Sequence, residues 1–311
     1  MTTPAAFKSM FADIGMDLDW PLHHPATRAD GGQSFRDVVY AAPWGFRPLM
    51  LNIIVPKGQG PKPLIIYIHG GAWAAGHPTI SNPLYRKLDF VERFYKSGFA
   101  VASIAYRFSA EAQFPTQLHD CKSAIRYLRK HSQTFAIDPK RFGVIGDSAG
   151  GHLASLVGLT GKKKALEGKV GETKGSSAVQ CVVNWFGPTN FLTMAKDKRS
   201  LKSLGNSDAA DAPEAMLVGG ALQKNKAKAR FASPLTYVHK AAPPTLLQYG
   251  DRDRLVPFAQ GQALYEAMKA KGCDVTLQRI AGADHCFWGA AHDNVVDDDI
   301  SFFQKHLGHA A

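Results

Sequence analysis

The chain has 311 residues, 45% of them hydrophobic and 20% charged, a length that buries roughly 75% of the unfolded chain's surface in one large α/β domain or two smaller ones. That composition excludes disordered, collagenous and repeat architectures. The formal charge of +11 does not describe a nucleic-acid surface: the basic residues are scattered apart from Lys162-Lys163-Lys164 and a run from Lys224 to Arg230, and no aromatic residues interleave with them.

The segment Met1 to Lys8 carries no basic region followed by an apolar run, and no stretch reaches 18 uninterrupted apolar residues, so a cytoplasmic protein without a membrane span is expected. Residues 1–45 contain Trp20, Pro21, Pro25 and Pro43 with little periodicity. They read as an N-terminal extension and a candidate partial lid. From there, short apolar runs predict strands at Leu49–Val55, Leu64–Ile68, Ala100–Tyr106, Phe142–Ile145, Val179–Trp185, Thr245–Tyr249 and Val275–Ile280. Such runs suit strands buried on both faces. Between them Leu118, Cys121, Ile125 and Leu128 recur at helical spacing, as Ala263, Tyr265, Ala267 and Met268 do less cleanly. Alternating strands and helices predict an α/β fold: a mostly parallel central sheet with helices on both faces, residues 46–311 forming the catalytic domain. Residues 191–232, rich in Lys, Ala and Asp, interrupt this alternation and read as an insertion, the second candidate for a partial lid or for a homodimer contact. Cys121, Cys181, Cys273 and Cys286 show no Cys-x-x-Cys spacing and are expected to be free thiols in a reducing compartment.

One turn carries the strongest chemical signal. In Gly146-Asp147-Ser148-Ala149-Gly150-Gly151 a serine stands between glycines, after the strand Phe142–Ile145 and before an apolar helix from His152. A sharp strand-to-helix turn needs small residues, and it presents the serine as a candidate nucleophile. A hydroxyl is a weak nucleophile at neutral pH, so acyl transfer requires a base and a group that orients the base. His285 follows the last predicted strand, and Asp251 and Asp253 follow the strand Thr245–Tyr249. In a parallel sheet the loops at the strands' carboxyl ends converge. The order Ser, Asp, His along the chain is that of an α/β-hydrolase. Donors for a developing oxyanion are expected from the N–H of Ala149 and from Gly71 and Ala72 in His69-Gly70-Gly71-Ala72-Trp73, with His69 holding that loop.

Together these motifs resemble the hormone-sensitive-lipase-like branch of the α/β-hydrolases, as does Tyr106-Arg107-Phe108-Ser109-Ala110-Glu111-Ala112-Gln113-Phe114-Pro115. The stretches Asp120 to His152 and Ala232 to His285 are similar to bacterial esterases of the BD-FAE type, which act on acetyl or feruloyl esters. The Asp-x-x-Val-Pro arrangement resembles that family's acid loop and assigns the acid to Asp253. The resemblance covers roughly residues 45–305. It implies a serine carboxylesterase hydrolysing short-chain or aryl esters, with a small-molecule substrate and no metal or organic cofactor. Kynurenine formamidases are also similar, so an aryl formamidase is the alternative within catalysis. A non-catalytic ligand-binding homologue is the alternative of another class, and the presence of both Ser148 and His285 weighs against it. Departures from the family fall at Ala72, where many relatives have glycine, and at Cys286-Phe287-Trp288. Trp73, Trp185, Leu255 and Phe287 are candidates to line the substrate pocket, each with core packing as its rival role.

Overall fold

The computed structural model describes residues 25–79, 88–198, 205–289 and 294–308. Among these the sheet begins earlier than the sequence pattern suggests, with β1 (Ala26–Thr27) and β2 (Gln33–Ala41). Part of the stretch expected to be an N-terminal extension is therefore sheet. Its alternation is hidden by a bulge: Phe35 pairs with Ile53 but Val38 with Leu51, and Asp37 between them has φ 52°. An extra residue shifts the two-residue period by one, so Phe35, Val38 and Tyr40 all point inward. Residues 1–24, which the lid reading also includes, lie outside the described part.

The seven anticipated strands follow as β3 (Leu49–Val55), β4 (Lys62–Ile68), β5 (Ala100–Ile104), β6 (Ile137–Asp147), β7 (Cys181–Trp185), β8 (Thr245–Gly250) and β9 (Val275–Ile280). The spatial order is β1-β2-β3-β5-β4-β6-β7-β8-β9. Pairing is antiparallel from β1 to β5 and parallel from β5 to β9. Every residue of β4, β5, β7 and β8 is buried, as a parallel sheet covered on both faces requires.

The covering helices are α1 (Phe90–Lys96), α2 (Thr116–Lys130), α3 (Ala149–Thr160), α4 (Met194–Lys198), α5 (Pro213–Val218), α6 (Lys226–Ala232), α7 (Phe258–Ala270) and α8 (Val295–Leu307). Leu118, Cys121, Ile125 and Leu128 form the buried stripe of α2. In α7 the phase differs from the expected one: the buried face runs through Gly261, Leu264 and Met268. A Cβ on Gly261 would stand 2.5 Å from the Tyr249 ring, so this glycine lets the helix press onto β8. α3 is buried at all twelve positions, which suits a sequence that is small and apolar all round. No helix among the described residues is long and apolar enough to cross a membrane.

Candidate active site

Ser148 sits where β6 ends and α3 begins, with φ 51° and ψ −117°. A non-glycine residue at positive φ is sterically strained and persists only when its surroundings fix it. They do so by close approach. A Cβ on Gly150 would lie 1.9 Å from the carbonyl oxygen of Ile68, and one on Gly146 would lie 2.3 Å from that of Gly150. The Ser148 N–H donates to the Trp185 carbonyl at 2.8 Å, tying the turn to β7.

The loops after β8 and β9 bring two further residues to this serine. His285 Nε2 lies 3.1 Å from Ser148 Oγ, and its Nδ1 lies 2.8 Å from Asp253 Oδ2. With Nδ1–H donating to the carboxylate, the Nε2 lone pair faces the serine hydroxyl. Asp253 is wholly buried, and its Oδ1 accepts from the N–H groups of Leu255 and Val256, each at 2.8 Å. The neighbouring acids have other partners. Asp251 accepts the Gly282 N–H at 2.8 Å and pairs with Arg279 at 3.2 Å, joining the two loops. Asp284 accepts the N–H groups of His285 and Arg254 and pairs with the Arg254 guanidinium. Burial alone would raise its pKa, but those bonds outweigh burial and hold the carboxyl below its ordinary value.

The loop after β4 approaches from the other side. Gly71 has φ 106°, and Ala72 and Trp73 have φ 54° and 56°; a Cβ on Gly71 would lie 2.2 Å from the Ala75 carbonyl oxygen. Ala149, at the first position of α3, has an N–H of the kind a helix leaves without an intrahelical partner. Sequence reasoning missed the residue that joins these parts. Asp147 Oδ1 accepts from the Gly70 N–H at 2.9 Å and the Tyr67 hydroxyl at 2.7 Å, clamping the loop to the turn. His69 stacks on Tyr106 at 4.5 Å, and its Nδ1 bonds the Gly70 carbonyl at 2.7 Å. Burial lowers its pKa to about 4. The Tyr106 hydroxyl donates to the His69 carbonyl at 2.9 Å, and Arg107 pairs with buried Asp120 on α2. The Tyr106–Pro115 motif thus supports this loop from behind.

A cavity of about 260 Å³ opens beside Ser148, and Ala72, Trp73, Leu255 and Val256 line it. Residues of the insertion line it as well, Lys198, Ser207 and Glu214 among them. Residues 199–204 of the insertion lie outside the described part. Two expected lining residues are elsewhere. Trp185 is fully buried, packing on Phe90 and Phe287 and donating to Asp299. Phe287 is fully buried between Trp185 and Phe186. An aromatic beside a catalytic motif serves core and pocket equally well in sequence, and here the core takes both. Cys286 is partly buried against the core, and none of the four cysteines, all among the described residues, is in a disulfide. His152 is a second residue that sequence reasoning missed. Its Nδ1 accepts from Trp73 Nε1 at 3.2 Å, its Nε2 bonds the Ala232 carbonyl at 2.7 Å, and its ring stacks on Phe191 at 5.0 Å. Buried α3 therefore anchors both the loop and the insertion.

Esterase LipC of Mycobacterium tuberculosis (strain ATCC 25618 / H37Rv) is 30% identical over 289 residues, covering 91% of this chain and 68% of its own. Esterase LipQ of the same organism is 29% identical over 244 residues, and the match spans 78% of this chain but only 54% of that relative. A truncated form of a carbohydrate esterase from gut microbiota superposes with a TM-score of 0.78 at 30% identity, covering 92% of this chain and 99% of that one. The BD-FAE family model matches residues 51–268, ending before His285. With more than half of its length matched and the fold shared, the chain belongs to the BD-FAE family of α/β-hydrolases.

Proposed function

We propose that the protein is a serine carboxylesterase that hydrolyses short-chain esters through an acyl-enzyme formed on Ser148. The observation that carries this reading is the relay from Ser148 Oγ through His285 to buried Asp253, at 3.1 and 2.8 Å, on a strained turn facing a cavity. His285 takes the serine proton as Oγ attacks the ester carbonyl, and Asp253 holds the imidazole in the tautomer that can accept it. The oxyanion is received by the N–H groups of Ala149 and of Gly71 and Ala72, donors of a kind worth roughly 10²–10³ in rate each. The imidazolium then protonates the leaving alcohol. A water, deprotonated by the same imidazole, releases the acid and restores the serine.

Ligand cavities commonly span roughly 300–1,000 Å³, so a cavity of about 260 Å³ favours a short acyl group over a long chain. Four cysteines outside any disulfide agree with action in the reducing cytoplasm. The test is a rate panel of p-nitrophenyl esters of increasing acyl length, with methyl ferulate, acetylated sugars and N-formylkynurenine. Turnover should fall as the chain lengthens. Ser148→Ala should lower it by about 10⁴-fold or more and should abolish labelling by a fluorophosphonate. Turnover by Ser148→Ala at the unmodified protein's rate would remove the assignment, and preference for N-formylkynurenine would make the enzyme a formamidase.

A further inference from the structure

The two basic runs that stand out in the sequence take no part in the chemistry at Ser148. Lys224, Lys226, Lys228 and Arg230 are all exposed, and none of them is in an ion pair among the described residues. The second run borders the first. Lys163 Nζ lies 5.7 Å from the centre of the Tyr237 ring, and the Tyr237 hydroxyl donates to the Phe231 carbonyl at 2.6 Å. Lys162 and Lys164, on either side of Lys163, are exposed as well.

Apolar side chains stand among these cations. The buried residues of α6 are Ala229 and Ala232. At 3.6 residues per turn, Ala227 and Phe231 then point outward, with Lys226 and Arg230 on one flank and Lys228 on the other. Phe231 is 42% exposed, and so is Met216 on α5, at 45%. Phe114 connects the two: its ring centre lies 5.4 Å from that of Phe231, and its N–H donates to the Leu217 carbonyl at 2.9 Å.

Unpaired cations attract an anionic surface, and apolar side chains standing among them gain by leaving water. A bilayer with acidic headgroups matches both features, because its negative charge overlies an apolar layer within reach of a side chain. A nucleic acid matches the charge alone, since Met216 offers it neither a stacking ring nor a hydrogen bond. The core of a protein interface is depleted in lysine. We propose that the outer face of α6, with Met216 and the Lys162–Lys164 run beside it, docks the protein on membranes that contain acidic phospholipids. Docking is separate from the reaction at Ser148 and stands without it.

The experiment sediments the full chain with vesicles of about one-third phosphatidylserine and two-thirds phosphatidylcholine, and with vesicles of phosphatidylcholine alone. Binding to the acidic vesicles in dilute salt should be about tenfold tighter or more, and about 0.5 M sodium chloride should release the protein. The triple variant Lys226→Gln, Lys228→Gln, Arg230→Gln should bind them about tenfold more weakly or worse, and Phe231→Ala about threefold or worse. No preference for acidic vesicles, or a preference that survives in both variants, would overturn the proposal. So would a single-stranded oligonucleotide that binds where vesicles do not, weakened in the triple variant and unchanged in Phe231→Ala, which would give the surface to nucleic acid. Melting curves report folding, and should the triple variant unfold, the double variant Lys226→Gln, Arg230→Gln decides on the same criterion.

Discussion

At Ser148 the backbone holds a conformation that costs of the order of 1–3 kcal/mol, and the surrounding contacts show what maintains it. Strand β7 accepts the serine N–H, and glycines at 146 and 150 let neighbouring backbones close in. The two acids on the loop after β8 part company at this scale. Asp253 touches His285, whereas Asp251 joins two loops through Gly282 and Arg279. Asp253→Ala should lower kcat on p-nitrophenyl acetate by roughly 10⁴-fold, and Asp251→Ala should lower it by less than about tenfold while reducing thermal stability. Steady-state rates and melting curves of both variants check this; the reverse ranking would move the acid to Asp251. The meeting of Ser148, Asp253 and His285 was legible because each stands in a local motif of recognisable residue types. Asp147 and His152 were not, since their partners are 77 to 80 residues away and nothing local announces them. Trp185 and Phe287 show the opposite failure, where proximity to a motif suggests a role that burial denies.

Among the elements, the approach of α3 to the sheet is set by atoms rather than by apolar pattern. The carbonyl oxygen of Ile68 on β4 occupies the space where a Cβ on Gly150 would lie, at 1.9 Å, and backbone cannot yield as a flexible side chain would. Gly150→Ala should therefore destabilise the protein by about 3 kcal/mol or more, at the upper end of overpacking effects. Urea unfolding measures it, and a midpoint within error of the unmodified protein's would show that α3 can shift away. The seven strands from β3 to β9 were readable because their β-branched and apolar runs need no phase information. β2 was not, because the bulge at Asp37 breaks its alternation, and the buried face of α7 was misphased because it opens on Gln260 and Gly261, a polar residue and one with no side chain to count as apolar. The insertion read as a candidate lid, but which of its residues reach the cavity was not legible: its composition is that of a solvated surface, and only the fold buries Lys198 and Glu214.

The whole molecule carries its buried histidines as a response to acid. Burial holds His152 and His69 at a pKa of about 4, against about 6.5 in an unfolded chain. Between those values the unfolded chain binds a proton at each site that the folded chain refuses. Stability therefore rises with pH across that window and is lost as pH falls from 6.5 towards 4, by about 3 kcal/mol for each histidine. Asp299 acts in the opposite sense, since burial raises its pKa well above the ordinary value and favours the folded state in acid. Comparing the protein with His152→Asn separates the two. The loss of unfolding free energy between pH 7 and pH 4.5 should be about 2–3 kcal/mol smaller in the variant, and equal losses would mean that His152 is charged in the folded state. The architecture also has an electrical consequence. α3 starts at Ala149, directly after Ser148, and is buried along its twelve residues, and aligned peptide dipoles place roughly half a positive elementary charge at a helix N-terminus. Dissolved ions screen such a charge only where water reaches it. The cavity admits ions to this end from one side only, so the field at Ser148 weakens less with added salt than the field at a fully exposed helix end.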